Sequence, residues 1–196
     1  MAAARRFEDR GCRYFRKPGK ANTADVLEAA AARATELGIA AAIVPSVSGR
    51  TALAAREAFG RGVQVIAVTH VAGFEGPDIQ EMGDAARKRL ESAGVRVFTG
   101  QHAFGGVGRA VRNKLGTYQV DEIMAYTLRT FGQGTKVAVE VALMAADAGL
   151  VRTAGDVIAL GGTYAGVDTA LVVRPANSAR FFDLKVREVI CKPRDF

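Results

Sequence analysis

Two short runs constrain this chain more than any other feature: residues 39–44 (IAAAIV) and 63–68 (VQVIAV). Each has the length of a strand, and neither alternates apolar with polar. A strand with one wet face alternates, whereas one covered on both faces reads as a continuous apolar run, as in a parallel sheet. Around these runs lie segments of helical period. Val26, Leu27, Ala30, Ala31, Ala34 and Leu37 share one face, Asn22 stands at the N-cap position, and Gly38 ends the pattern. This predicts a helix over 23–37. A second helix is expected over 50–59, stopped by Gly60 and Gly62. Pro77 is expected to open a third, closed by Gly94 after Ala93, with a third short strand at 95–98. Strands alternating with helices argue for βαβ units and an α/β domain.

The second half changes character. Residues 100–118 are glycine-rich, and helices are expected over 120–131 and 135–148. Three strand-like runs follow at 157–161, 169–174 and 184–192. No helical pattern separates the last of these, so part of the terminal pairing is expected to be antiparallel.

With 196 residues, about half of them hydrophobic, the chain can bury one proper core without disulfides or metals. No apolar run reaches the roughly 18–20 residues of a membrane span, since the longest candidate, Val137 to Leu150, carries Glu140 and Asp147. Cys12 and Cys191 form no CxxC pair and read as two thiols in a reducing cytoplasm; a disulfide between them is the other reading. With only two histidines, no Cys/His metal site is expected.

The net charge of +7 is concentrated at the start. Residues 1–20 hold Arg5, Arg6, Arg10, Arg13, Arg16, Lys17 and Lys20 against Glu8 and Asp9. This reads as a basic N-terminal arm, with a single α/β domain over 21–196. The arm fits a solvated end, a transit-like segment or a nucleic-acid contact. The first is preferred, because the arm lacks the basic periodicity of nucleic-acid binders. No apolar run follows the charges to make a secretory signal, and a cytoplasmic location is expected.

The segment PSVSGRTA (45–52) joins the first apolar run to the helix expected over 50–59. In an open parallel sheet, ligands bind outside the carboxyl ends of the strands, and position 45 is such an end. The first amides of a helix lack intrahelical partners, and the helix dipole favours an anion. Ser46, Ser48 and Thr51 add hydroxyls, Gly49 lets the backbone approach closely, and Arg50 adds a planar cation suited to phosphate oxygens. No GK[ST] follows, so this is not a Walker A loop. An ordinary helix start capped by Ser48, with Arg50 in water, fits the same residues.

Other residues that could carry chemistry fall near the same edge. His70 and His102 each follow an expected strand, where a neutral imidazole binds ligand or moves a proton; capping a strand end is the alternative. GGVGRA (105–110) lacks the third glycine and the acidic partner of a dinucleotide fingerprint; a lid, an anion nest using Gly106 and Arg109, or a plain loop remain. GGTYAG (161–166) could lay Gly162, Thr163 and Tyr164 against a ring or phosphate, and Asp168 and Thr169 fit a turn alone. Lys136 and Glu140 are four apart on a helix apolar nearly all round. They read either as an internal pair or as Lys136 reaching a ligand with Glu140 holding it. Asn22 reads first as an N-cap and second as a ligand contact.

Several of these segments together resemble a known family. YFRKPGKANT (14–23), PSVSGRTA (45–52), VTHVAGF (68–74), GQHAFGGVGRA (100–110), KVAVEVALMAADAGL (136–150), GGTYAGVDTALVVRPA (161–176) and VREVICKPR (186–194) carry the likeness. The chain is similar to the C-terminal domain of pyruvate kinase, and more specifically to stand-alone pyruvate kinase C-terminal-like proteins of archaea and bacteria. It is far too short for a pyruvate kinase catalytic barrel as well. The resemblance implies a three-layer α/β/α sandwich with a mixed, mostly parallel sheet, and self-association. It also implies a phosphate-bearing ligand at Ser46, Ser48, Gly49, Arg50 and Thr51, with flavin mononucleotide or a similar nucleotide as the leading occupant.

The functional expectation is therefore a ligand-binding or sensor module for a phosphorylated small molecule. Contacts are expected from that loop and from His70, His102, Gly106, Gly162 and Thr163. The alternatives are a small enzyme using His70, His102, Lys136 or Glu140, or bound flavin, and a regulatory subunit of another protein.

Overall fold

The computed structural model describes residues 6–196; positions 1–5, including Arg5 of the basic arm, lie outside the described residues. Thirteen regular elements follow in order: β1 (Arg13–Phe15), α1 (Thr23–Leu37), β2 (Ala41–Pro45), α2 (Arg50–Phe59), β3 (Gln64–His70), α3 (Asp84–Ser92), β4 (Arg96–Gly100), α4 (Val107–Leu115), α5 (Val120–Arg129), α6 (Gln133–Asp147), β5 (Val157–Gly161), β6 (Thr169–Arg174) and β7 (Lys185–Pro193). The strands form one seven-stranded sheet in the order β1-β7-β6-β5-β2-β3-β4. β5, β2, β3 and β4 run parallel to one another. β6 is antiparallel to both β5 and β7, as the missing helices imply, and β1 closes the other edge parallel to β7.

Successive side chains of a strand point to opposite faces, and here both faces are covered. Ala42, Val44, Val65 and Ala67 join Val26, Leu27 and Ala30 of α1 and Ala52 and Ala55 of α2 in one core. Ile43, Ile66 and Val68 join Ala138, Val139, Ala142 and Leu143 of α6 in the other. The result is three layers. Ile43, Ile66, Leu160 and Leu171 are fully buried, each contributing about 1.5–3 kcal/mol of transfer free energy. Gly38 ends α1 in the left-handed conformation (φ 63°) that its missing side chain allows.

Three local expectations are corrected. α3 begins at Asp84 rather than at Pro77. Residues 71–83 instead make a compact loop, turned by Gly73 (φ 86°) and Asp78 (φ 61°) and tied by Gly73 N–H to Ile79 O at 2.9 Å. Asn22 occupies the N-cap position of α1, but its side chain does not cap; its amide donates to Lys17 O at 2.8 Å. The basic arm is not wholly a solvated end. Arg13–Phe15 pair with Cys191–Pro193, Arg194 N–H donates to Phe15 O at 2.8 Å, and Gly19 N–H donates to the buried Asp168 carboxylate at 2.9 Å. Cys12 and Cys191 are both free thiols, and burial pushes the Cys191 thiol up to about 12.

Candidate functional site

Because β2, β3, β4 and β5 are parallel, their carboxyl ends share one edge. From β2 the chain leaves through α2 on one face. It returns to β5 through α6 on the other. β2 and β5 are adjacent, so the two connections part above them, at the kind of switch point where open α/β sheets hold ligands. A cleft of about 810 Å3 opens there, within the roughly 300–1,000 Å3 of small-molecule sites.

One end of the cleft is the first turn of α2. Gly49 precedes it at φ 81°, a conformation strained for any side chain, and a Cβ there would sit 3.3 Å from Leu90. Ser46 supplies the helix cap: its buried hydroxyl accepts Ala52 N–H at 3.3 Å, and its own N–H is held by Val68 O at 2.9 Å. Ser48 does not cap; its hydroxyl accepts from Arg50 Nε at 3.3 Å. The N–H groups of residues 47–51 have no hydrogen-bond partner among the described residues. Ser48, Arg50 and Thr51 line the cleft beside them, and so does Thr69, whose hydroxyl is buried without a partner.

His70 and His102 meet in the middle of the cleft. Their ring centroids are 5.0 Å apart, and Phe74 lies 4.2 Å from the first and 4.9 Å from the second. The Arg109 guanidinium covers Phe74 at 5.1 Å. His70 Nδ1 is 2.6 Å from Glu81 Oε2. Burial pushes the His102 imidazole down to about 4, with Glu140 pulling up and His70, Lys136 and Arg109 pushing down. His102 is therefore neutral at ordinary pH, and its buried Nδ1 has no partner among the described residues.

The floor is the start of α6. Here Gly134 and Gly161 allow a close approach of helix to strand: a Cβ on Gly161 would lie 1.9 Å from Gly134 O, and one on Gly134 would lie 2.1 Å from Thr169 Oγ1. That contact seats the first turn of α6 at the carboxyl edge, with Lys136 one turn in. Lys136 is 6 % and Glu140 2 % exposed, and the ammonium is paired with Glu140 Oε2. The other carboxylate oxygen accepts Phe104 N–H at 3.0 Å. Burial pushes the Lys136 ammonium down while Glu140 pulls it back up. Both sequence readings of this pair meet here, since it is internal and also lines the cleft.

Of the residues singled out from sequence, Ser46, Ser48, Arg50, Thr51, His70, His102, Lys136, Glu140 and Gly162 line the cleft, whereas Gly49, Gly106 and Thr163 do not. Gly49 and Gly106 instead precede α2 and α4 at positive φ. Asp168 serves the turn, accepting from Gly19 N–H and from Thr169 Oγ1. Glu81, Phe74, Thr69, Arg129 and Lys20 were not picked from the sequence. Thr69 alone carried a local signal, next to His70 at a strand end. Among the described residues, no group of three His, Cys, Asp or Glu could hold a metal ion, and no helix is long and apolar enough to cross a membrane.

Fold and cleft define an α/β domain of the open, doubly wound kind, with a ligand-sized cleft at its strand carboxyl ends. The profile of the family "Pyruvate kinase, alpha/beta domain" matches residues 24–173. The chain belongs to that family, which agrees with the resemblance read from its motifs. The match stops short of β1 and of the whole of β7, the two outermost strands of the sheet at the edge remote from β4.

Proposed function

We propose that the chain binds a phosphorylated small molecule in this cleft, its phosphate seated on the first turn of α2. The observation that carries the reading is the run of unpartnered N–H groups at 47–51, flanked by Ser48, Arg50 and Thr51. A dianionic phosphate supplies the acceptors these donors lack, where the helix dipole favours negative charge. The partnerless Thr69 hydroxyl, 1 % exposed, is an independent sign that the cleft wants a polar occupant. Flavin mononucleotide is the leading candidate: its phosphate suits this turn, and its ring would find the aromatic surface of Phe74, His70 and His102. If bound, flavin would supply two-electron redox chemistry.

Titration calorimetry with inorganic phosphate and with flavin mononucleotide tests the reading. Arg50→Gln is expected to weaken phosphate binding about 10-fold or more, since a hydrogen bond to a charged group contributes about 1.5–3 kcal/mol. Absence of phosphate binding in the wild-type protein at millimolar concentration would overturn it. Absence of flavin binding, or of yellow colour after loading, would remove only the flavin.

A further inference from the structure

The middle and floor of the cleft hold groups that phosphate binding does not use. The Glu81 carboxylate can only accept when ionised, so at 2.6 Å His70 Nδ1 donates to it. A neutral imidazole that donates through Nδ1 carries its lone pair on Nε2, and no described residue hydrogen-bonds His70 Nε2. The result is an oriented base facing a cleft. Beside it stand the neutral His102, with an unpartnered ring nitrogen, and the Lys136 ammonium, which gives one proton to Glu140 and keeps two for another acceptor. A purely structural histidine needs no carboxylate to fix its tautomer, and a purely structural ion pair need not line a cavity.

The geometry points to a proton-transfer centre that deprotonates the carbon next to the carbonyl of a phosphorylated aldehyde or ketone. The inference rests on the phosphate seat at α2. His70 Nε2 takes the proton as the C–H bond breaks. The electron pair forms the carbon–carbon double bond of the enolate, and the carbonyl π electrons move onto oxygen. That oxygen is met by the Lys136 ammonium, a donor held in place by Glu140, with the neutral His102 imidazole beside it, in a site where such stabilisation is largest. Returning the proton to the same carbon gives exchange, and returning it to the neighbouring carbon gives isomerisation. No oxidant, reductant or second substrate is consumed. Glu81 is a positioning residue, acting through His70.

The test is deuterium incorporation from D2O, followed by NMR, with dihydroxyacetone phosphate and ribose 5-phosphate as probes, alongside calorimetric binding of the same probes. The wild-type protein should label the carbon next to the carbonyl of at least one probe well above the buffer rate. His70→Asn should cut the labelling rate about 100-fold or more, the usual worth of a positioned base, with KM little changed. Glu81→Gln should lower kcat with KM held and remove the downfield Nδ1–H proton resonance of His70, and Glu81→Asp should restore part of both. Because Lys136→Met alone leaves Glu140 buried and unpaired, the double variant Lys136→Met/Glu140→Leu serves as the folded form lacking the ammonium. It should bind phosphate and fail to exchange. Wild-type protein that binds both probes and labels neither would overturn proton transfer and leave the binding reading standing. Failure of phosphate and both probes to bind would overturn both.

Discussion

The first turns of α2 and α6 face the same cleft, and the chain uses them in opposite ways. At α2 the backbone is left bare: among the described residues the N–H groups of residues 47–51 have no partners, and the nearby side chains are small or flexible. At α6 the turn is pressed against β5 and β6 through Gly134 and Gly161, and the charged groups sit one turn in, as the buried Lys136–Glu140 pair. A helix start offers an anion its amides only where solvent and ligand can reach them. Where the start is buried, it serves instead to hold a side chain at a fixed place and depth.

The largest effect that would sharpen this contrast is expected at α6. Lys136→Met should destabilise the fold by about 3–5 kcal/mol in urea unfolding, because it strands the Glu140 carboxylate in the interior. The double variant Lys136→Met/Glu140→Leu should recover most of that loss; equal losses in the two would mean that packing, not charge, dominates there.

A smaller effect comes from His102, which borders the pair. Its folded value of about 4 lies below the ordinary 6.5, so the unfolded chain takes up a proton the folded one refuses. Stability is then full above about pH 6.5 and falls as pH drops towards 4, by up to about 3 kcal/mol. His102→Asn should flatten this part of the stability profile, as read by denaturant midpoints across that range. A wild-type profile already flat there would place a proton partner on the imidazole.

The smallest effects belong to α2 and separate cap from ligand seat. Ser46→Ala removes the acceptor of Ala52 N–H and should cost about 1 kcal/mol of stability. Arg50→Gln, on an exposed position, should leave the unfolding midpoint unmoved while weakening phosphate binding. If the two variants behaved alike in both assays, the first turn of α2 would not divide its labour as described.

Much of this could be read from residue patterns, for identifiable reasons. β2, β3 and β5 are continuous apolar runs that only a doubly covered sheet accommodates, and α1 and α2 end at glycines, so the parallel half was legible. The loop after β3 was not. Gly76-Pro77-Asp78 resembles a helix start, but positive φ at Gly73 and Asp78 and the hydrogen bonds Gly73 N–H to Ile79 O and Ile79 N–H to Gly76 O close it into the wall that carries Phe74 and Glu81. Glu81 has no local mark of its role, since its partner is eleven residues away across that loop. β1 was hidden for another reason. Its three residues, Arg-Tyr-Phe, sit within a run of cations and gain their strand pairing from β7, far away in sequence. That Ser46, Ser48, Arg50 and Thr51 share the carboxyl edge of β2 was legible because they are contiguous in sequence and follow the end of an apolar strand.

The pairing of β1 with β7 has a consequence for how the molecule is made. Arg13–Phe15 leave the ribosome before the other strands of the sheet, yet the strand they join, Lys185–Pro193, is the last of those strands to be made. That border of the sheet can close only after every other strand of the sheet has been made. A strand of three residues flanked by cations offers stray strands little to grasp before then.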